Sequence, residues 1–299
     1  MQTFTDFDAW GDAIKGASLR LACDAVEARC WTLGVASLGQ VMLQVAFEGG
    51  GNVCYGGNTH EGLTLFVPLS RAAEHVVNGE PLDDESVLAI PCGADFRIRV
   101  RRRAHAWCSI ALPPGATEGW RGPAVSGRVA APVGAVPRLR RMVNEIAATL
   151  LDRSVGTAAH GQAGQDLMAA AIACLPHVPA PGAIRGRPRL DRGAIVRRAM
   201  ETLEASVTVP TAADLAETIG VNGRTLQRTF QESFGMPPKQ YLLLRSLHAV
   251  RCSLRTAAAD DATVADVLVR HGIWEFGRFA SRYRRQFGEL PSETIRRER

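Results

Sequence analysis

The pattern of apolar and polar positions changes period along this chain. Residues 1–30 are polar and predict helix without a sharp repeat. From Trp31 to about Pro113 short apolar runs take over, such as Val41-Met42-Leu43-Gln44-Val45-Ala46-Phe47 and Leu63-Thr64-Leu65-Phe66-Val67. Gly49-Gly50-Gly51-Asn52, Gly56-Gly57-Asn58 and Asn78-Gly79 read as turns between them. Short strands at this spacing predict a β-sandwich or small β-barrel. Phe96-Arg97-Ile98-Arg99-Val100-Arg101 alternates strictly, so its three apolar residues share one strand face and its three arginines the other. A solvated arginine face is the simpler reading; a site for an anionic ligand is the sharper one.

The helix period returns after the Pro/Gly-rich stretch 113–137. Leu139, Met142, Val143, Ile146 and Leu150 form an amphipathic stripe, and a second helix is expected over about 163–175. These helices either cover the β-domain or pair between subunits. Pro176, Pro179, Pro181 and Pro188 then mark a linker. The resulting α+β architecture has a β-rich domain over 1–137, a helical segment over 138–175, a linker over 176–190 and an all-α domain over 191–299.

That last domain contains a repeat. Thr211-Ala-Ala-Asp214-Leu215 ends at Gly220-Val221, and Thr263-Val-Ala-Asp266-Val267 ends at Gly272-Ile273, 52 residues later. One residue is then inserted. At an offset of 53, Leu226 matches Phe279, Phe230 matches Tyr283, Phe234 matches Phe287, Gly235 matches Gly288 and Pro238 matches Pro291. Each copy reads as helix, tight turn, helix. Thr211 and Thr263 are N-cap candidates, with Asp214 and Asp266 placed to close a capping box. Gly220 and Gly272 stand where the first helix must stop. In the second helix of copy one, Leu226 and Phe230 face inward and Arg224, Gln227, Arg228 and Gln231 face out. Arginine and glutamine can each grip a purine edge bidentately in the major groove. Phe234, Tyr241 and Phe287 are core by spacing, and Trp274 is expected to pack into the core of its turn.

Composition sharpens this picture. Of 299 residues, 46% are hydrophobic and 22% charged, as in an ordinary globular chain. No apolar run reaches the ~18 residues of a membrane span. Met1 to Ile14 lack a basic n-region and an apolar h-region, which predicts no signal peptide and a cytoplasmic protein. Residues 1–181 hold 15 basic and 17 acidic side chains, net −2; residues 182–299 hold 20 and 13, net +7. A basic C-terminal half is the footprint expected for a polyanion partner. The seven cysteines are odd in number with no C-x-x-C spacing, so reduced, mostly buried thiols are expected rather than a disulfide framework or zinc site. His60, His75 and His105 are isolated, Glu61 beside His60 would point to the opposite strand face, and no catalytic triad, phosphate loop or dinucleotide fingerprint is present. The expectation is a protein without enzyme activity, metal or cofactor.

The run Ala213-Asp-Leu-Ala-Glu-Thr-Ile-Gly-Val-Asn-Gly-Arg-Thr-Leu-Gln-Arg-Thr-Phe230 resembles the first helix-turn-helix of the AraC/XylS family of bacterial regulators. Gly235 to Arg251 resembles that family's linking helix, and Gly272 to Pro291 its second unit and closing signature. The resemblance covers about 191–297. It implies a seven-helix domain whose two recognition helices enter successive major grooves, about one DNA turn (~34 Å) apart. Carried over by position, base reading falls on Arg224, Gln227 and Arg228, with Thr225 nearby. The second helix departs from the family: Gly277, Ala280 and Ser281 stand where a polar residue, a serine or threonine, and an arginine are usual. Arg278, Arg282, Arg284 and Arg285 surround them. Arg278, Ser281, Arg282 and Arg285 are therefore candidate DNA contacts weighted to phosphates. The β-rich half is more loosely similar to the cupin-like effector domains of family members. The resemblance implies double-stranded DNA and RNA polymerase as partners, a small-molecule effector, a homodimer and activation. An effector-independent repressor and a less specific nucleoid-type binder are the alternatives.

Overall fold

In a computed structural model, residues 1–118, 120, 122, 124–150, 157–176, 192–206, 208–257 and 262–297 are described. The chain divides into two compact units, Met1–Arg189 and Leu190–Arg299. The expected linker, beyond Pro176, lies outside the described residues.

Unit one is a sandwich of two antiparallel sheets. Its strands are β1 (Gln2–Phe4), β2 (Ala17–Val26), β3 (Trp31–Leu38), β4 (Val41–Glu48), β5 (Gly50–Asn58), β6 (Thr64–Pro68), β7 (Val76–Val77), β8 (Glu80–Pro81), β9 (Ser86–Ile90), β10 (Asp95–Val100), β11 (His105–Ala111) and β12 (Gly127–Ala130). The larger sheet runs β1-β3-β4-β11-β6-β9-β12 and the smaller β2-β5-β10-β7-β8. Strand alternation sends the larger sheet's residues both ways. Phe66, Leu88 and Trp107 join a core with Cys54 and Phe96 of the smaller sheet. Leu65, Val87 and Cys108, each one residue from these, join a second core with α2 (Ala135–Leu150) and α3 (Thr157–Ile172). Val136, Leu139 and Val143 of α2 are in this second core. Both helices thus cover the sheet, one of the two roles expected for them.

Three expectations are corrected here. Residues 1–30 are not one helix: after β1 comes α1 (Phe7–Ala13), and then β2 pairs with β5. Asp6 caps α1 by accepting from the Ala9 amide at 2.9 Å, and Phe7 and Trp10 are the residues it buries. The helix stops before Gly16, which has φ +73°. The glycine clusters at 50–51 and 56–57 lie within β5 rather than in turns. At 50 and 51 backbone passes too close for side chains: a Cβ on Gly50 would stand 2.0 Å from the Ala25 carbonyl oxygen, beside the bulge between Cys23 and Ala25, and one on Gly51 2.1 Å from the Arg102 amide nitrogen. His60 and Glu61 lie outside the strands, so opposite strand faces do not apply.

Phe96 and Val100 are buried, while Arg97, Arg99 and Arg101 are half-buried, and Arg101 Nε donates to Asp24 Oδ2 at 2.6 Å. Cys23, Cys54, Cys108 and Cys174 are buried, Cys30 is partly buried and Cys92 and Cys252 are exposed, all as free thiols. Between the sheets lies a cavity of about 70 Å³, lined among others by Trp10, Phe66, Ile98 and Trp107.

Unit two is helical. Its described helices are α4 (Arg192–Ala205), α5 (Ala212–Thr218), α6 (Gly223–Phe234), α7 (Pro238–Ala257), α8 (Val264–Arg270), α9 (Phe276–Phe287) and α10 (Pro291–Arg297). No described helix is long and apolar enough to cross a membrane.

Two predictions follow from unit one. A Cβ at Gly164 of α3 would meet the Leu38 carbonyl oxygen at 2.0 Å, whereas one at Gly161 meets nothing within 4 Å. Chemical denaturation of the full chain should show Gly164→Ala destabilising by about 1–3 kcal/mol and Gly161→Ala neutral or slightly stabilising. The second concerns His75, which is fully buried. Burial first, then the neighbouring His105 and Arg140 charges, lower its pKa to about 3, against a hydrogen bond to the Arg71 carbonyl. The unfolded chain takes up this proton below about 6.5 and the folded chain does not until about 3. Stability is therefore present above 6.5 and is lost as pH falls across that window. His105 has the opposite sign: burial lowers its pKa, but Glu48 and two carbonyls raise it overall. His75→Asn should flatten the acid limb of a stability–pH curve followed by tryptophan fluorescence.

Candidate nucleic-acid interface

Both copies of the repeat begin with the same cap. Thr211 Oγ1 accepts from the Asp214 amide at 3.2 Å and Asp214 Oδ2 accepts from the Thr211 amide at 3.1 Å. Thr263 and Asp266 repeat this at 3.2 and 2.9 Å. The Thr263 hydroxyl and amide hold the Asp266 carboxyl below its ordinary pKa. Gly220 and Gly272 both have φ +70°, a conformation that side-chain-bearing residues adopt at a cost. Behind them, the Val221 amide donates to the Ala216 carbonyl at 3.0 Å and the Ile273 amide to the Leu268 carbonyl at 2.9 Å. The two tight turns are thus built alike.

The second helix of each copy is twelve residues long and ends in a left-handed glycine, Gly235 or Gly288. Helix α6 buries Leu226, Thr229, Phe230, Ser233 and Phe234. Phe230, Phe234 and Tyr241 make an aromatic cluster, with Phe234 stacked on Tyr241 at 4.5 Å. The opposite side of α6 exposes Arg224, Gln227, Arg228 and Gln231. Thr225 is half-buried, and its amide donates to the Asn222 cap at 2.8 Å. Arg228 Nε is 2.9 Å from Glu232 Oε1, which is also bridged through its other oxygen by Arg192 at 2.8 Å. Arg228 nonetheless keeps 71% of its side chain exposed, and an exposed pair of this kind is worth ~0–1 kcal/mol. A phosphate or guanine can therefore displace Glu232.

Helix α9 buries Phe279, Tyr283 and Phe287 and exposes Arg278, Ser281, Arg284 and Arg285, with Arg282 half-buried. Ser281 Oγ donates to the Gly277 carbonyl at 3.0 Å, so its proton is already engaged. Arg278 Nη1 is 3.1 Å from Glu275 Oε2. Where Asn222 caps α6, Glu275 makes no side-chain cap to α9. A Cβ at Gly277 would meet nothing within 4 Å. The exposed side of α9 is thus low in relief at 277 and 281 and ringed by guanidinium groups.

Trp274 is corrected. It is 73% exposed, not packed in the turn's core. It belongs to the one-residue insertion between the copies. Ile273 takes the place equivalent to Val221 and packs against the core that α7, α8 and α9 share, and the extra residue stands outside it.

Sequence reasoning also missed a buried polar group. Glu289 is 7% exposed; it accepts from Thr294 Oγ1 at 2.9 Å and is bridged by Arg251 at 3.7 Å and Arg297 at 3.1 Å. Thr294 also meets the Tyr283 hydroxyl at 2.8 Å. This network ties α10 to α7 and α9. Its members are spread over some fifty residues in no repeat, so no local signal reveals it.

Comparisons with known proteins agree with this geometry. A family model described as a helix-turn-helix domain matches residues 215–297. The XylDLEGF operon transcriptional activator of Pseudomonas putida is 32% identical over 112 residues, 38% of this chain and 33% of that protein. The chain thus spans about a third of the length of the first curated relatives it matches. The probable thc operon regulatory protein of Rhodococcus erythropolis is 38% identical over 103 residues, 34% of this chain and 31% of that protein. A solved structure of a probable AraC family transcriptional regulator from Rhodopseudomonas palustris CGA009 is 33% identical, covering 36% of this chain and 98% of that one, with TM-score 0.32. The XylDLEGF operon transcriptional activator 2 of Pseudomonas putida is 31% identical over 119 residues, 40% of this chain and 73% of that protein. On that coverage, and with both helix-turn-helix copies formed on one linking helix, the chain belongs to the AraC/XylS family of transcriptional regulators.

Proposed function

We propose that the protein binds particular DNA sequences through α6 and α9 and activates transcription there in response to a small molecule. The observation that carries DNA reading is the outer face of α6. Arg224, Gln227, Arg228 and Gln231 occupy it in helical register, exposed, on a helix whose other side is fixed by an aromatic cluster. Such a face suits purine edges in the major groove. Activation is supported by the relatives, which are named as operon transcriptional activators. RNA polymerase is then the protein partner, and the site of action is the cytoplasm. The effector reading rests on the sandwich of unit one and its internal cavity. A homodimer would use the outer sides of α2 and α3, since their inner sides pack on the sheet.

The two recognition helices divide the work in this reading. Helix α6 reads bases, and α9, with its low relief and its arginines, holds phosphates. Phosphate contacts set affinity and register, base contacts set choice.

Genome-wide mapping of bound sites, run beside Gln227→Ala, tests the first role. A few sharp peaks sharing one motif, with the variant losing about 1–3 kcal/mol at that motif, are expected. Diffuse binding indifferent to the substitution would favour a nucleoid-type protein instead. Salt titration tests the second role. Arg278→Ala and Arg282→Ala should each weaken binding about equally on matched and mismatched sites and reduce the salt slope by about 1. Loss confined to particular base pairs would assign these arginines to base reading.

A further inference from the structure

The cavity between the sheets is mostly apolar, walled by Trp10, Leu21, Phe66, Ile98 and Trp107. One end is polar. Glu48 closes β4 and lies opposite His105 in the β4–β11 register; Asn52, near the start of β5, lies opposite Val100 of β10. Glu48 and Asn52 are 3% and 6% exposed. Trp107 Nε1 donates to Glu48 Oε1 at 2.7 Å, and His105 Nε2 stands 3.4 Å from the same oxygen. Glu48 Oε2 and Asn52 Oδ1 are left with no hydrogen-bond partner among the described residues. Both are acceptors. Cys54, also in the wall, is held as a thiol by burial and then by the Glu48 charge, so it offers no competing nucleophile.

Two unpartnered acceptors at the floor of an apolar cavity specify a ligand. Buried acceptors are costly unless a donor reaches them. An acceptor-only anion would face the Glu48 oxygen with no proton to share. We propose that the cavity binds a small, mainly apolar molecule whose one end carries O–H or N–H donors, an alcohol, phenol or amine, seated on Glu48 Oε2 and Asn52 Oδ1. This names the effector class for the regulatory reading above and rests on it. The volume, about 70 Å³, is below the ~150 Å³ that holds benzene in an engineered cavity. The lining also includes Lys15, which is exposed, so a ligand longer than the enclosed volume would reach solvent on that side.

The test uses the full chain and four probes of similar size: phenol, aniline, toluene and benzoate. Affinity is read from quenching of tryptophan fluorescence, since Trp10 and Trp107 line the cavity, and from the shift in melting temperature. Phenol or aniline should bind at least about tenfold more tightly than toluene and benzoate, because a site built for donors rejects analogues lacking them. Asn52→Leu and Glu48→Gln should bring the donor probes down to toluene's level. Should Glu48→Gln fail to fold, because Glu48 also holds Trp107 and His105, Asn52→Leu carries the test alone. Toluene equal to phenol, benzoate tightest, or no probe bound would overturn the assignment. Binding of the same probes is measured beside occupancy of a mapped DNA site. A donor probe that binds through Asn52 but leaves DNA occupancy unchanged upholds the ligand chemistry and overturns the effector reading, so the two fail separately.

Discussion

The DNA-binding unit depends on one unbroken helix. Helix α7 runs for twenty residues, about 30 Å at 1.5 Å per residue. Its first half gives Tyr241 to the aromatic cluster under α6, and Arg245 Nη2 donates to the Leu203 carbonyl of α4 at 2.9 Å. Its second half gives Leu247, Val250, Leu254 and Ala257 to the core beneath α8 and α9. Each helix-turn-helix copy alone is too small to bury a sufficient core. Packed on the two ends of one rod, both become stable. One helix therefore supplies part of the core of both copies.

The copies differ at the start of the second helix. Asn222 caps α6 with a hydrogen bond to Thr225; Glu275 pairs with Arg278 instead of capping α9. A capped helix holds its first turn, and with it Arg224 and Gln227, in fixed geometry; in the division of work proposed above, base reading needs this, and phosphate binding, set by charge, tolerates a looser turn. The Glu289 network lies at the other end of α9. It fixes α10 against α7 and α9 through Arg251, Arg297 and Thr294.

Much of unit two was legible because its signals are local. A capping box spans four residues, a glycine stop one, and the inward stripe of α6 recurs at the helix period. The repeat doubled each signal. Trp274 was misjudged because size and aromaticity predict burial on average, while the insertion that displaces it from the core matters only once the turn is closed. In unit one, Phe96 and Val100 alternated as strands do, but residues 1–30 lacked a clean period. The placement of β2 comes from its pairing with β5, a non-local fact. The glycines at 50–51 carry the same lesson. Glycine signals either a turn or a close backbone approach, and only the partner strand decides which. The Glu48–Asn52 floor is the furthest from reach, since it joins strands of two different sheets.

That floor also shows how one sheet can serve two demands. The β4 strand sends Val41 and Leu43 to the core under α2 and α3, and Gln44 and Glu48 to the cavity. A one-residue slip would exchange the two sets, putting a carboxylate under the helices and leucine in the cavity. The helix-facing core therefore fixes the register that keeps Glu48 inside. A core selected for stability alone would replace Glu48 and Asn52 by apolar residues, since buried charges are often worth less than well-packed hydrophobes. Here both faces of the sheet carry apolar cores, and Glu48 and Asn52 stand where the inner one gives way to the cavity.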